Sequence, residues 1–194
     1  MTVSASLDER FRAAAVAAGL LDVAFDVISD TPIGPLLVGV TDRGVCRISF
    51  DAEPEHHLDA LARQFGPRVL RSSKPVERVH RELDEYFAGR RRHFDVEADT
   101  RFLPEYNRLV LGELARVEYG TTTTYGTLAA QAGNPRAARA VGTVMNRNPI
   151  PIILPCHRVI GASGNLTGYA GGLERKQLLL ELEEPEPEER GQLF

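Results

Sequence analysis

The sequence predicts an α+β protein in two parts, a small sheet with helices followed by a nearly all-helical half. Three observations carry this expectation. First, from residue 24 apolar residues recur in short strand-like runs at 24–29, 36–40 and 45–50. The punctuation between them, Pro32-Ile33-Gly34-Pro35 and Asp42-Arg43-Gly44, has the residue types that close tight turns. Second, beyond residue 120 the punctuation becomes that of short helices: a Thr cap, a terminal Gly and an Asn-Pro start. Third, charge divides along the chain. Residues 101–180 hold nine Lys and Arg against four Asp and Glu, a balance of +5, whereas the remainder stands at −9. A chain of 194 residues is long enough for one large or two small domains, and 43% apolar content is ordinary for a globular protein.

In chain order, residues 5–19 are expected to form a short helical extension within an N-terminal segment, 1–23, that lies outside the main body. Charged residues Asp8, Glu9, Arg10 and Arg12 break this segment, so it does not read as a signal peptide or a membrane span. The domain expected at 24–100 holds the three strands, a helix over 55–65, a short strand near 68–70 and a helix over 76–88. It ends in a charged linker, 89–101. The second domain is expected over 101–184. There Thr124 caps a helix that Gly133 ends in a left-handed residue, and Asn134-Pro135 starts the next one. The two helices and their tight turn read as helix-turn-helix. Residues 185–194, rich in Pro and Glu, form an acidic tail expected to be disordered.

The chemistry concentrates at Pro155-Cys156-His157-Arg158-Val159, which closes the apolar run Ile150-Pro151-Ile152-Ile153-Leu154. A reactive cysteine needs its thiolate, and thiolates form beside cationic or proton-accepting groups. Cys156 has both as sequence neighbours. The other cysteine, Cys46, sits in an alternating strand pattern and is expected to be structural. Two cysteines make no disulfide framework, and no Cys/His cluster has metal-ligand spacing, so no metal and no cofactor are expected. The histidines at 56, 57, 80 and 93 read as surface residues.

The pentapeptide resembles the active-site sequence of the O6-alkylguanine-DNA alkyltransferases, the methylated-DNA–protein-cysteine methyltransferases. Four further stretches carry the same resemblance: Asn134-Pro135-Arg136-Ala137-Ala138-Arg139-Ala140-Val141-Gly142, Thr124-Tyr125-Gly126, Asn148-Pro149, and Gly168-Tyr169-Ala170-Gly171-Gly172 with the helix leading to Glu183. The likeness covers about residues 24–184, strongly from Tyr125 to Glu183. It implies a ribonuclease H-like N-terminal domain, with a small antiparallel sheet and helices, and a C-terminal winged helix-turn-helix domain. It makes Cys156 the alkyl acceptor, His157 its base and Asn148 a brace for the active-site turn. Glu183 becomes the acid partner of His157, with Glu181 and Glu184 as near rivals. For substrate and DNA it implies Tyr125, Arg139, Ala137, Ala138, Met145, Arg158, Val159, Tyr169 and Ala170. Arg139 is expected to fill the stack where the damaged base has left it.

A protein of this kind takes an alkyl group from O6-alkylguanine in double-stranded DNA onto its own cysteine. The target base must leave the stack, at a cost of a few kcal/mol. Sulfur attacks the alkyl carbon, and Tyr125 can donate to the guanine ring as charge builds there. The S-alkyl thioether, unlike a thioester, is not activated toward water, so one turnover per molecule is expected. Activity on O4-alkylthymine and cooperative binding along DNA stay open. A monomer in the reducing cytoplasm, with no membrane partner, fits a nucleophile that must remain free. Two other classes were weighed. An alkyltransferase-like damage sensor would lack the cysteine, and a cysteine hydrolase would turn over repeatedly.

Overall fold

The computed structural model of the chain describes residues 5–184; the acidic tail lies outside the described residues. The chain divides into two compact units, one running to Glu85 together with Phe94–Phe102, the other holding Tyr86–His93 and everything from Leu103 on.

The first unit opens with helix α1 (Ala5–Ala17), whose Arg12 Nη1 donates to the carbonyl of Arg71. Strands β1 (Val23–Ile28), β2 (Leu36–Thr41) and β3 (Gly44–Ser49) follow, then α2 (Glu55–Phe65), β4 (Val69–Arg71) and α3 (Ser73–Phe87). The sheet order is β3-β2-β1-β4, and β2 is the strand most fully buried along its length. β1 and β2 pair antiparallel, as do β2 and β3. The expected all-antiparallel sheet needs correcting at its far edge, where β4 runs parallel to β1, with Ala24 opposite Leu70. The reason is topological. α2 carries the chain from β3 to the opposite edge, and a crossover through a helix returns the strand in the same direction, whereas hairpins reverse it.

The segment 94–102, expected as part of a linker, is instead laid along the sheet. Val45 N–H donates to Glu97 O at 2.8 Å and Asp99 N–H donates to Val45 O at 2.7 Å. Buried Glu82 accepts from the N–H groups of Asp95 and Val96. Gly44 permits this approach: its φ is +134°, and a Cβ there would lie 2.2 Å from Glu97 O. Cys46 is fully buried in a cluster with Val23 and Leu61, flanked by Phe65 and Val69.

In the second unit come α4 (Glu105–Leu114), β5 (Thr123–Thr124), α5 (Tyr125–Gln131), α6 (Ala138–Asn146), a 3₁₀ turn (Cys156–Arg158), β6 (Val159–Ile160) and α7 (Leu173–Leu182). Thr124 caps α5 by accepting from Thr127 N–H at 3.1 Å, and Gly133 follows the helix with φ +84°. α6 begins at Ala138, three residues after the Pro135 expected to start it. The carbonyl of Asn134 is taken by Ala137 N–H, closing a turn, and only at Ala137 does a carbonyl receive a helical i+4 bond. Leu128, Val141 and Ile150 are fully buried, each contributing about 1.5–3 kcal/mol of apolar burial. β5 and β6 pair in parallel, Thr123 opposite Val159, which sets the start of α5 beside the turn that carries Cys156.

Candidate active site

The apolar run before the cysteine is a tight, braced loop. Asn148 Nδ2 donates to Leu154 O at 2.7 Å, and Asn148 Oδ1 accepts from Ile150 N–H at 3.1 Å. Ile152 has φ +76°, the one non-glycine residue with positive φ among the described residues. A β-branched residue there costs about 1–3 kcal/mol. Burial of its side chain, 1% exposed, holds it in place. The loop delivers Cys156 into a 3₁₀ turn, with Cys156 N–H donating to Leu154 O. Successive side chains therefore do not alternate between two faces, as they would along a strand.

Cys156 is buried, and burial pushes its thiol up to about 11 against the opposing pull of the Asn148 hydrogen bond and the Lys176 charge. At neutral pH it rests as the thiol. His157 is fully buried, and burial lowers its pKa despite Glu183, so the ring is neutral. Its Nε2 lies 2.9 Å from Glu183 Oε1. A carboxylate only accepts, so Nε2 carries the proton and the Nδ1 lone pair is the basic site. Nδ1 is enclosed and has no hydrogen-bond partner among the described residues.

Glu183, at the C-terminus of α7, is the acid the fold brings to His157. Glu181 instead pairs with Gln177, and Glu184 is exposed. Arg158 grips Glu183 bidentately, Nε to Oε2 and Nη2 to Oε1, both at 2.8 Å, while its Nη1 donates to Val117 O. Tyr86 Oη donates to Oε1 at 2.6 Å, and Gly120 N–H reaches Oε2 at 3.4 Å. Burial pushes the Glu183 carboxyl up, but the hydrogen bonds of His157 and Arg158 and the Arg158 charge outweigh it and bring it down to about 2. The carboxylate is thus ionised at neutral pH.

Burial divides the residues implied for substrate and DNA, and the Arg158 side chain is turned inward. Arg158, Met145 and Val159 are buried. The guanidinium of Arg158 is spent on Glu183, and its charge balances that carboxylate where both side chains are buried. Of the others, Arg139 and Ala170 are exposed, and Ala137, Ala138, Tyr125 and Tyr169 are half-buried. An open pocket of about 390 Å³ is lined by Tyr125, Ala138, Arg139, Gly142, Asn146, Thr167 and Gly168. Small residues keep it open: a Cβ on Gly142 would stand 3.9 Å from the Tyr125 ring. Thr167 Oγ1 donates to Tyr125 Oη at 3.1 Å.

Sequence reasoning missed Lys176, Tyr86 and Thr167 as site residues. Lys176 is buried, donating to Val159 O at 2.6 Å and Thr167 O at 2.9 Å, so one ammonium ties the strand after Cys156 to the pocket loop. A signal existed, since Lys176 and Lys74 are the only lysines in the chain and Lys176 lies seven residues before Glu183, on the same helix face.

Two family models match the chain in succession. The 6-O-methylguanine DNA methyltransferase ribonuclease-like domain covers residues 26–100, and the DNA binding domain of the same name covers 105–185. The chain belongs to the methylated-DNA–protein-cysteine methyltransferase family. Within that family it is 54% identical over 159 residues to the methyltransferase of Mycobacterium bovis, spanning 79% of this chain and 88% of the relative. To that of Methanosarcina acetivorans it is 40% identical over 156 residues, 80% and 96% respectively. The crystal structure of the Mycobacterium tuberculosis O6-methylguanine methyltransferase superposes with a TM-score of 0.71 at 40% identity, covering 84% of this chain and 93% of that one. The same organism's protein in complex with DNA gives 0.69 at 38% identity, covering 83% and 92%. Among the described residues of this methyltransferase family member, no group of three His, Cys, Asp or Glu side chains could hold a metal ion. No helix among them is long and apolar enough to cross a membrane.

Proposed function

We propose that this protein repairs double-stranded DNA by moving the alkyl group of O6-alkylguanine irreversibly onto its own Cys156. The observation that carries the proposal is the buried Cys156-His157-Glu183 arrangement, with a neutral imidazole whose Nε2–H is committed to an ionised carboxylate and whose Nδ1 is open. Such an imidazole is a base ready to take the thiol proton, the logic of a hydrolase triad.

The steps balance. The Sγ–H proton passes to His157 Nδ1, through a bridging water where the two atoms do not meet. Sulfur then forms a bond to the alkyl carbon as the carbon–O6 bond breaks and its electron pair stays with the guanine. Tyr125 at the pocket donates to the guanine ring as that charge builds. The guanine takes up one proton at its ring and the His157 imidazolium releases one to water, so the net change carries the Sγ proton to guanine, and the products are guanine and S-alkyl Cys156. Water has no activated bond to attack in the thioether, so the protein acts once.

Extrusion of the base costs a few kcal/mol. Exposed Arg139 at the pocket rim supports a role as the group that takes the vacated place, and Ala137 and Ala138 leave a bare surface for the minor groove to approach. A basic half on an acidic chain suits phosphate contact. Free Cys46 and Cys156 suit a cytoplasmic, reducing compartment. No cofactor is called for, because sulfur is itself the final acceptor.

The test is intact-protein mass after incubation with methylated duplex. One methyl group is expected on the Cys156 peptide, with product levelling at one equivalent per protein. Cys156→Ser is expected to lose transfer and keep DNA binding. Modification of Cys46 with Cys156 clean, or many turnovers per molecule, would overturn the proposal.

A further inference from the structure

The Glu183 carboxylate is more heavily engaged than a histidine partner requires. Its Oε1 accepts from three donors at once: Tyr86 Oη at 2.6 Å, Arg158 Nη2 at 2.8 Å and His157 Nε2 at 2.9 Å. Arg158 alone neutralises the carboxylate. Tyr86 brings no charge, yet its hydroxyl, from a residue 97 positions away in sequence, makes the shortest of the three contacts. Both side chains are buried, Tyr86 at 0% and Glu183 at 1% exposure. In such a site a hydrogen bond to a charged acceptor is strong and redistributes the acceptor's charge.

We propose that Tyr86 is a positioning residue for the alkyl transfer: by donating to the oxygen that also receives His157, it draws off part of the carboxylate's charge and sets the proton affinity of the ring. The proposal rests on the alkyl-transfer reading above and names a residue that acts through Glu183 without touching substrate.

The groups facing His157 have opposing effects. Glu183 on α7 favours the imidazolium, while Lys176 on the same helix and Arg158 on its own turn disfavour it. Cys156 precedes it on that turn. Tyr169 of the pocket loop interacts with Cys156 and Glu183, and its hydroxyl stays protonated because burial holds it well above the ordinary value. Tyr119 lies edge-on to Tyr86, with Arg92 and Arg158 over its ring. Tyr86 is itself held protonated by burial and by the Glu183 charge, so it acts only as a donor. Removing its hydroxyl leaves more of the Oε1 charge to His157, and a nearer negative charge favours the protonated ring. A resting imidazole that is easily protonated cannot take the thiol proton.

The experiment measures the pH dependence of transfer to Cys156, and in parallel the NMR titration of the His157 ring in unreacted protein. Both are recorded for wild type, His157→Ala as control, Tyr86→Phe, and protein with 3,5-difluorotyrosine at position 86. In Tyr86→Phe the acid-side inflection and the ring titration are expected to move up by about 0.5–1 pH unit, a threefold to tenfold change in proton affinity. Difluorotyrosine, a stronger donor of nearly the same shape, is expected to move both down, and it keeps the test decisive if Tyr86→Phe folds poorly. Ring titrations that do not move in either protein, or that move in the reverse directions, overturn the proposal. If the ring moves as expected while wild type forms no S-alkyl Cys156, the Tyr86–Glu183–His157 coupling stands and the alkyl-transfer reading falls.

Discussion

Replacing Glu183 with glutamine tests the site as a structural element as well as a chemical one. The amide keeps the shape and an acceptor oxygen but removes the charge that Arg158 faces. Arg158 has only 7% of its side chain exposed, and Glu183 1%, so the guanidinium is left as a buried, uncompensated cation. Breaking a buried pair from one side costs about 3–5 kcal/mol. The depressed carboxyl supplies an independent figure. A fall from 4.5 in the unfolded chain to about 2 in the folded one is worth about 3 kcal/mol at 1.36 kcal/mol per pH unit. The two agree, and either is a large part of the roughly 5–15 kcal/mol that stabilises a typical domain. At about 2–4 °C per kcal/mol for a chain of this size, Glu183→Gln is expected to melt roughly 6–20 °C below wild type at pH 7. Because the folded value is the lower one, this stabilisation is complete above 4.5 and is lost as pH falls toward about 2. The melting gap between wild type and Glu183→Gln should therefore narrow over that window. Adding Arg158→Met removes the stranded cation and is expected to recover part of the loss. The assay is thermal unfolding followed by circular dichroism from pH 2 to 8. A gap under about 2 °C at pH 7, or one that stays constant into acid, would refute the buried-pair reasoning.

Activity of the same variants is to be measured below their melting points. His157→Ala with Glu183→Gln is expected to slow transfer little more than His157→Ala alone, since groups acting as a unit are not additive, and additive losses would mean Glu183 only holds the fold. Arg139→Ala is expected to slow reaction with alkylated duplex far more than with the free alkylated base, because only duplex carries the unstacking cost; equal losses would assign Arg139 to chemistry or folding. Lys176→Met removes both carbonyl contacts and the cation that opposes burial at Cys156. The Cys156 thiol is expected to titrate higher than in wild type, measurable by alkylation rate against pH, and an unchanged titration would leave Lys176 a purely structural tie.

Much of the site was legible because its parts are local. Cys156, His157 and Arg158 are consecutive, and Asn148 braces a carbonyl only six residues on. Glu183 was chosen over Glu181 and Glu184 by the resemblance, and the contact with His157 bears out its place on the helix. The α5 cap at Thr124 and the left-handed Gly133 were equally plain, since both depend on dihedrals and side-chain reach within one turn. The start of α6 was misplaced because Asn134-Pro135 serves a turn as well as it serves a helix cap, and only the competing Ala137 contact decides between them.

What the sequence by itself determined, then, is whatever is settled within a turn, a strand or a helix face: most of the elements, and the run that sets Cys156 beside His157 and Arg158. The direction of β4 was decided by which strand it met across the sheet. Whether Arg158 faces DNA or a carboxylate was decided by what shares its water-poor interior. In the sequence it is a cation in a basic half, and a cation is stable in either place. The tertiary structure sets it against Glu183, because a buried charge persists only where an opposite charge meets it; Glu183 lies 25 residues from Arg158, and Tyr86, 97 residues from Glu183, donates to the same carboxylate.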